Sequence, residues 1–271
     1  MPDIRNRLTH AGYDTGEAYM LARLALEHVA ELGNPAEALE ALIQGLLRQE
    51  PIQYLTGKGH FYGRDFIVNP DVLIPRQETE ELAVWIRDEV LKSGQKTPHV
   101  LDIGTGSGCI PITLDLEWKE RGLQATLMGV DVSEKALKIA SENALLLGSD
   151  VSWQQMDILQ AADTAFTQLD LIVSNPPYIP AEEFDALPDN VRLHEPATAL
   201  IPPGEPLLFY DTIADLALHW LKPGGSLYFE IHEDFGPQMV ALLQEKGFEN
   251  IRLRRDLRGR DRMVGGRKAA F

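Results

Sequence analysis

From Pro75 onward, short apolar stretches alternate with longer amphipathic ones, and this alternation restricts the possible folds more than any other feature of the chain. Short apolar stretches predict buried strands, and longer stretches in which apolar residues recur every three to four positions predict helices. The order favours an α/β fold with a doubly wound, mostly parallel sheet of seven strands. Strands are predicted over 98–103, 125–130, 151–156, 169–174, 225–231, 249–255 and 262–266, and helices over 77–92, 108–121, 133–147, 207–220 and 236–246. The short segment Arg258-Gly259-Arg260 predicts a final hairpin, and hence one antiparallel edge strand.

Two helices are predicted ahead of this region. Asp14 and Glu17 have the spacing of a capping box, and an apolar pattern of helical period follows them. Asn34-Pro35 predicts the N-cap and first turn of a second helix, which runs to about Arg48. Gly33 lies between the two helices, so we expect them to pack as a hairpin.

A connector is predicted between these helices and the sheet. Residues 61–68 have the pattern of a β-hairpin with its turn near Gly63-Arg64. The chain is therefore divided into a small helical domain over 1–50, a connector over 51–75 and an α/β domain over 76–271.

Net charge limits the partners of the protein. The 271 residues include 41 acidic and 25 basic side chains, a formal net charge of −16. Proteins that bind nucleic-acid phosphates normally present a basic face, so this charge disfavours duplex nucleic acid and favours a basic protein partner. Eight arginine and lysine residues crowd positions 252–268. A solvated edge hairpin is the preferred interpretation of that cluster, with a local nucleic-acid patch as the alternative.

Several other classes of protein are disfavoured. No apolar run approaches the roughly 18 residues of a membrane helix, and the first ten residues lack the apolar core of a secretory signal. The single cysteine, Cys109, excludes an internal disulfide, so we expect a cytoplasmic protein. Cys109 has no basic neighbour in sequence and is predicted to be a small buried residue rather than a nucleophile. The seven histidines lack metal-binding spacing, and no metal site is predicted.

A glycine loop follows the first strand of the α/β region: Gly104-Thr105-Gly106-Ser107-Gly108. Ligands of doubly wound sheets bind at this carboxyl end of the strands, where glycines let backbone approach the ligand closely. A Walker phosphate loop would need Gly-Lys-Ser/Thr, which is absent, and a dinucleotide fingerprint would need glycine where Cys109 stands. The remaining pattern, D-x-G-x-G-x-G, resembles the first motif of class I S-adenosylmethionine methyltransferases, whose cofactor carries a ribose and an adenine.

The next two strands end in polar residues. Asp131 ends the second strand, 27 residues after Gly104. A carboxylate at this place can accept hydrogen bonds from both hydroxyls of a ribose. It is also a common helix cap, and Asp131 lies two residues before Ser133, so the sequence leaves both roles open. Asp157 and Ile158 follow the third strand, where an adenine ring would lie between apolar side chains.

Asn175, Pro176, Pro177 and Tyr178 follow the fourth strand and should meet the glycine loop at the same rim of the sheet. Consecutive prolines stiffen this turn. A planar NH₂ group offers two donors, which Asn175 Oδ1 and the Pro176 carbonyl can accept, while Tyr178 stacks on the planar group. The tetrapeptide is typical of enzymes that methylate exocyclic amines or amides.

Taken with the surrounding segments, the chain resembles the HemK/PrmC family of protein-glutamine N-methyltransferases. These enzymes modify the Gly-Gly-Gln motif of class 1 peptide chain release factors. The resemblance covers about residues 48–267. It is carried, in order, by residues 50–57, 74–80, 102–108 (DIGTGSG), 173–178 (ending in NPPY) and 195–200.

The resemblance implies a helical substrate-recognition domain, a connecting hairpin and a class I (Rossmann-like) methyltransferase domain. It implies S-adenosylmethionine as cofactor and S-adenosylhomocysteine as product. Cofactor contacts fall on Gly104 to Gly108, Asp131, Ile158 and Asn175, and substrate-amide contacts on Asn175 to Tyr178. The chain departs from the family at Ile158, where an aromatic residue is common, and in its shorter N-terminal region.

Three alternatives stay open at this point. A flipped adenine offers the same planar NH₂, so a DNA or RNA adenine methyltransferase is one. A cofactor-binding module without activity is the second. The third is the related activity on a glutamine of a large-subunit ribosomal protein.

Overall fold

A computed structural model describes residues 2–30, 32 and 35–270 of the chain. The helices are α1 (Pro2–His10), α2 (Thr15–Ala30), α3 (Pro35–Leu47), α4 (Ile52–Thr56), α5 (Gln77–Ser93), α6 (Cys109–Lys119), α7 (Glu134–Leu147), α8 (Asp189–Arg192), α9 (Leu208–Trp220) and α10 (Gly236–Glu245). The strands are β1 (Lys58–Phe61), β2 (Arg64–Ile67), β3 (His99–Ile103), β4 (Thr126–Asp131), β5 (Ser152–Gln155), β6 (Leu169–Ser174), β7 (Leu221–Glu230), β8 (Phe248–Arg255) and β9 (Asp261–Lys268).

Seven strands form one sheet in the order β5-β4-β3-β6-β7-β9-β8. The first five are mutually parallel, and β9 runs antiparallel to both of its neighbours. The predicted doubly wound seven-stranded sheet is therefore confirmed. The one antiparallel strand, β9, lies inside the sheet, and the edge strand β8 runs parallel to the first five strands. The prediction that the antiparallel strand lies at the edge was therefore wrong. Burial explains this order: Met263 and Val264 of β9 are buried, whereas β8 buries only Phe248.

The two faces of the sheet pack against different helices. Alternate side chains of a strand point to opposite faces, and β3 follows this rule. Val100 belongs to a cluster with α5 and α6, whereas Leu101 belongs to a cluster with α9 and α10. Each face is thus covered, as expected for parallel strands buried on both sides.

The strand order reverses between β3 and β6, which are hydrogen-bonded neighbours. The chain passes from β3 to β4 on one side, and β6 lies on the other. Ser174 closes the end of this pair, since its hydroxyl donates to the Ile103 carbonyl at 2.7 Å. The glycine loop and the Asn175 turn consequently leave the sheet side by side, at the crevice where doubly wound sheets bind ligands.

The N-terminal helices have a hydrophobic cluster of their own, with members between Ile4 and Ile52. Asp14 caps α2 as predicted, since its Oδ1 accepts from the backbone N–H groups of Gly16 and Glu17 at 2.7 and 2.9 Å. Helices α1, α4 and α8 were not predicted; among the α1 residues whose burial is described, two are buried, Ile4 and Leu8, too few for a clear helical period. Gly33 and Asn34, the predicted break and N-cap, lie outside the described residues. Among the described helices, none combines the length and apolar character that crossing a bilayer requires.

The predicted hairpin exists, with its turn one residue earlier than expected. Tyr62 and Gly63 form the turn, both with positive φ of 48° and 73°. Two residues with positive φ suit the right-handed twist of a two-residue hairpin, which explains the shift from Gly63-Arg64. Phe61 and Phe66 of the hairpin are fully buried against the face that carries α5 and α6.

Candidate active site

The glycine loop is fastened to the neighbouring strand β4. The backbone N–H groups of Gly104 and Thr105 both donate to the Val130 carbonyl, at 2.9 and 3.0 Å. Gly104, Gly106 and Gly108 all have positive φ, between 53° and 79°. The loop therefore needs glycine at each of these positions to turn without strain.

The surroundings of Gly106 and Gly108 differ. A Cβ at Gly106 would meet nothing within 4 Å, so this position borders open space. A Cβ at Gly108 would lie 2.8 Å from Trp153 and 3.0 Å from Ile112. Gly106 is thus free to face a ligand, whereas Gly108 allows close packing inside the protein. Thr105 and Ser107, on either side of Gly106, are buried.

Asp131 is tied to the glycine loop. Its Oδ2 accepts from the Gly106 N–H and its Oδ1 from the Ser133 N–H, both at 2.9 Å. The N-cap of α7 is Ser133, whose hydroxyl accepts from the Ala136 N–H. Burial raises the pKa of Asp131, while its backbone hydrogen bonds oppose this shift. Since each carboxylate oxygen has further lone pairs, Asp131 can accept additional hydrogen bonds from a ligand.

Asp102 is a buried acid that the sequence reasoning did not single out. The Thr105 hydroxyl donates to its Oδ2 at 2.5 Å. Its Oδ1 is buried and accepts from none of the described residues. Burial raises the pKa of Asp102 to about 7. A buried oxygen without a partner, next to the glycine loop, is suited to a cationic or hydrogen-bond-donating ligand.

Ile158, which follows β5, provides an apolar surface at the same rim of the sheet. Ile158 is buried and belongs to the cluster that includes Val130. Asp157 caps a short 3-10 turn, with its Oδ1 accepting from the Leu159 N–H at 3.0 Å. Ile158 is therefore held in place in the 3-10 turn that follows β5, the strand that pairs with β4 and hence with the strand that ends in Asp131.

The Asn175 turn lies against the glycine loop. A Cβ at Gly104 would be 4.0 Å from the Asn175 carbonyl oxygen. Pro176 is buried, while Asn175, Pro177 and Tyr178 are half-buried. The structure therefore brings together the two segments in which the sequence placed cofactor and acceptor contacts.

A chain of hydrogen bonds holds Asn175 and Tyr178 from behind. Asn175 Nδ2 donates to Thr79 Oγ1 at 3.2 Å, and the Thr79 hydroxyl donates to Glu230 Oε2 at 2.6 Å. The Tyr178 hydroxyl donates to Glu230 Oε1 at 3.1 Å. Glu230 is only 1% exposed, and burial raises its pKa. One buried carboxylate is thus connected to both polar members of the turn.

Thr79 and Glu230 were not predicted as site residues. Each had a weak sequence marker: Thr79 lies in the 74–80 segment, and Glu230 ends an apolar strand as Asp131 does. Neither marker reveals the contact, because Thr79 is 96 residues from Asn175 and 151 from Glu230.

Cys109 was predicted to be a buried residue rather than a nucleophile, and the histidines were predicted to form no metal site. Cys109 is buried, and burial raises the pKa of its thiol to about 12, which confirms the predicted small buried residue. Among the described residues, one group could approach a metal ion: Glu183, His232 and Asp234. The two carboxylates lie against opposite ring nitrogens of His232, with Glu183 3.3 Å from Nε2 and Asp234 3.8 Å from Nδ1. The absence of a metal stays a prediction.

The basic C-terminal segment forms the β8–β9 hairpin, in which β8 is mostly exposed and β9 lies inside the sheet, and the local nucleic-acid patch stays an alternative. Arg252 pairs with Glu89 at 2.7 Å. Arg260 and Arg262 both pair with Glu233, at 2.6 and 3.2 Å. These arginines are engaged by acids of the protein itself.

Two solved structures with a similar fold are methyltransferases. A methyltransferase from Pyrococcus furiosus aligns with a TM-score of 0.53 and 15% identity over 77% of this chain and 91% of its own. A T. thermophilus 16S rRNA methyltransferase, solved in complex with AdoMet and guanosine, aligns with a TM-score of 0.56 and 17% identity. That alignment covers 78% of this chain and 49% of the other. These similarities establish the class I methyltransferase fold.

Sequence comparison identifies the family. A family model for a methyltransferase domain matches residues 95–253. The release factor glutamine methyltransferase of Flavobacterium psychrophilum is 43% identical over 83% of this chain and 78% of its own length. The enzyme of the same name from Bacteroides thetaiotaomicron is 41% identical, over 83% and 79% respectively. With the fold, the glycine loop and the NPPY turn in place, the chain belongs to the release factor glutamine methyltransferase family.

Proposed function

We propose that the protein transfers the methyl group of S-adenosylmethionine to the side-chain amide nitrogen of the glutamine in the Gly-Gly-Gln motif of class 1 peptide chain release factors. The products are the N-methylated glutamine and S-adenosylhomocysteine. Family membership supports the reaction, since the relatives described above are named for it. The observation that carries the proposal is the Asn175 turn, which lies directly against the glycine loop.

The cofactor residues fit S-adenosylmethionine. When bound, this cofactor supplies a methyl group that its sulfonium has already activated. The open space at Gly106 admits a ligand close to the backbone. Asp131 can accept from ribose hydroxyls, and the unpartnered Asp102 Oδ1 suits a ligand that carries positive charge. Ile158 offers an apolar surface to the adenine.

The acceptor residues suit a planar amide. An amide nitrogen is a poor nucleophile because its lone pair is delocalised, so orientation is the main contribution that the protein can make. Asn175 Oδ1 and the Pro176 carbonyl oxygen would each accept one N–H of the glutamine, and Tyr178 would pack against its plane. The methylated amide loses its proton readily to one of these oxygens or to water, so the mechanism requires no histidine base.

Selectivity for one glutamine must come from a larger surface than this turn. Glutamine differs from asparagine by one methylene, which a pocket distinguishes by only about 1–3 kcal/mol. We assign this recognition to the helical region over 1–50 and the connector over 51–75. The net charge of −16 suits a partner that binds RNA and is itself basic.

Transfer of labelled methyl to candidate acceptors tests the proposal. The purified protein is incubated with a release factor, the same factor lacking its Gly-Gly-Gln glutamine, a large-subunit ribosomal protein, and DNA. Label is expected on the intact factor only, and on its amide nitrogen by mass spectrometry. Asn175→Ala should keep cofactor affinity within about tenfold and reduce transfer by roughly 10² or more. Label on DNA or on the factor without its glutamine would contradict the assignment. Preferential labelling of the ribosomal protein over the intact release factor would also contradict it.

A further inference from the structure

We propose that Thr79 and Glu230 are positioning residues, which fix the side-chain amide of Asn175 in the one orientation that presents its oxygen to the acceptor. The inference rests on the proposed function, in which Asn175 Oδ1 receives an N–H of the glutamine. It adds two residues, from α5 and from the end of β7, to a turn that follows β6.

The direction of each hydrogen bond follows from the chemistry of Glu230. An ionised carboxylate has no hydrogen to give and can only accept. The Thr79 hydroxyl, 2.6 Å from Glu230 Oε2, must therefore donate its single hydrogen to the carboxylate. What remains at Thr79 Oγ1 is lone pairs, and these can only face a donor. Asn175 Nδ2, at 3.2 Å, is that donor.

This arrangement selects one of two amide orientations. The oxygen and nitrogen of an asparagine side chain have nearly the same shape, so packing alone does not distinguish them. With Nδ2 held by Thr79, Oδ1 is directed elsewhere, and it accepts from none of the described residues. In the reversed orientation Asn175 would present N–H groups to the N–H groups of the incoming amide, and two donors repel.

Glu230 itself is held firmly. Its second oxygen accepts from the Tyr178 hydroxyl at 3.1 Å, and its backbone carbonyl accepts from the Tyr210 hydroxyl at 2.9 Å. Burial raises the pKa of Glu230, and Glu78 on α5 adds to this shift, whereas the hydroxyl groups of Thr79 and Tyr178 and the positive charge of Arg262 on β9 favour the ionised form. Because Glu230 is almost completely buried, water cannot replace either of its hydroxyl partners. The same carboxylate thus positions Asn175 through Thr79 and positions Tyr178 directly.

Conservative variants of Thr79 separate positioning from packing. Thr79→Ser keeps the hydroxyl and should keep most of the wild-type kcat. Thr79→Val keeps the shape but not the hydroxyl, so kcat should fall by about tenfold or more while KM for the release factor and affinity for S-adenosylmethionine stay close to wild type. Thr113→Val is a matched control, because Thr113 is also buried but its Oγ1 has no partner among the described residues.

Glu230→Gln tests the direction of the hydrogen bonds. A glutamine amide can donate to Thr79, which frees the hydroxyl to donate to Asn175 and favours the reversed amide. We expect a loss of kcat at least as large as that of Thr79→Val. Single-turnover transfer, calorimetric titration of the cofactor and thermal unfolding are measured for every variant. A Thr79→Val enzyme with wild-type kcat, a Thr79→Ser enzyme as slow as Thr79→Val, or an equal loss in Thr113→Val would overturn the inference. Failure of the wild-type protein to methylate any glutamine would instead refute the proposed function.

Discussion

Three acidic residues lie at or near the carboxyl ends of the parallel strands β4, β3 and β7, and their different surroundings determine what each can do. Asp131, at the end of β4, already accepts two backbone N–H groups and is only half-buried. Asp102, near the end of β3, keeps one buried oxygen without a partner. Glu230, at the end of β7, has both oxygens occupied by hydroxyl groups. Asp131 can therefore accept from a ligand, Asp102 keeps an unsatisfied acceptor that is buried, and Glu230 is a fixed support.

The glycine loop provides a test that separates ligand contact from packing. Gly106→Val fills open space, so it should abolish or greatly weaken S-adenosylmethionine binding in a protein that still folds. Asp131→Ala should do the same by removing an acceptor for the ribose hydroxyls. Gly108→Ala should lower the melting temperature most, because its Cβ would clash with Trp153. Calorimetric titration and thermal unfolding measure the two effects. Wild-type affinity in both Gly106→Val and Asp131→Ala would exclude this cofactor site.

Asp102 predicts a pH dependence with a defined sign. Its pKa in the folded protein is about 7, raised from 3.8 by burial. Between these values the folded state binds more protons than the unfolded state, so this group's stabilisation is complete below about pH 4 and is lost as pH rises through about 7. The free energy of unfolding should fall by at most about 1.4 kcal/mol per pH unit over this interval.

Urea unfolding of the wild type and of Asp102→Asn between pH 5 and 8 isolates this contribution. The difference between the two proteins should change with pH, since the variant lacks the titrating group. Cofactor affinity of the wild type should rise over the same interval, because a cationic ligand favours the ionised carboxylate. Parallel stability curves for the two proteins would show that Asp102 does not titrate in this range.

Much of the candidate site was predictable because its residues lie together in sequence. The glycine loop and residues 175–178 are contiguous motifs, and Asp131 ends a strand at a characteristic spacing. Thr79 and Glu230 were not predictable, because only the fold brings them to Asn175. Asp102 stood inside the glycine motif, but its unpartnered oxygen depends on burial, which the sequence does not reveal.

At the scale of secondary-structure elements, Asn143 of α7 joins the connector hairpin to the glycine loop. Its Oδ1 accepts from the Ile67 N–H at 2.6 Å, and its Nδ2 donates to the carbonyl oxygens of Ile67 and Ser107 at 3.0 and 2.9 Å. Asn143 is completely buried. One side chain thus makes hydrogen bonds with the backbone N–H and carbonyl groups at the end of β2. It also supports the glycine loop, which borders the candidate cofactor site.

Asn143→Leu should therefore affect both stability and binding. The substitution leaves the Ile67 N–H and the Ser107 carbonyl buried without partners, and each such group costs roughly 1–3 kcal/mol. The free energy of unfolding in urea should fall accordingly, and cofactor affinity should weaken as the loop loses its support. Ser141→Leu, on the exposed side of the same helix, is the control and should change neither. Equal stability of the two variants would mean that the hairpin is held by its phenylalanines alone.

The predicted elements succeeded where periodicity was strong and failed where it was weak. The predicted helices α5, α6, α7, α9 and α10 matched, and each buries several residues, whereas the short α8 was not predicted and buries none. Helix α1 was missed for lack of a regular apolar stripe. The position of β9 between β7 and β8 was missed because strand order depends on long-range pairing, although its buried Met263 and Val264 hinted at an interior strand.

At the scale of the whole molecule, the N-terminal helices are attached to the site by few contacts. His194 Nε2 lies 3.0 Å from the Arg48 carbonyl oxygen, which links the helices to the loop after the Asn175 turn. Arg76 pairs at 2.6 Å with the buried Glu195 of the same loop, and the Ile74 N–H donates to that carboxylate. A partner bound to the helices would thus be connected to the loop that continues from the acceptor residues.

Helix α2 leaves apolar side chains exposed on the outside of this region. Met20 and Leu24 are 62% and 38% exposed, and residues four apart lie on the same face of a helix. Exposed apolar side chains on one helix face are suited to contact with a protein partner. We therefore predict that Met20→Ser with Leu24→Ser raises KM for the folded release factor by about tenfold, the loss expected when a contact worth about 1.4 kcal/mol is removed.

The same double variant should leave cofactor affinity and transfer to a short Gly-Gly-Gln peptide unchanged, since neither uses α2. Leu145→Ser with Leu146→Ser is the matched control, because these leucines of α7 are 86% and 61% exposed and belong to the methyltransferase domain. Steady-state transfer of labelled methyl to factor and to peptide measures both variants. If the α7 variant raises KM for the factor and the α2 variant does not, recognition lies on the methyltransferase domain, and the role assigned to residues 1–50 is wrong.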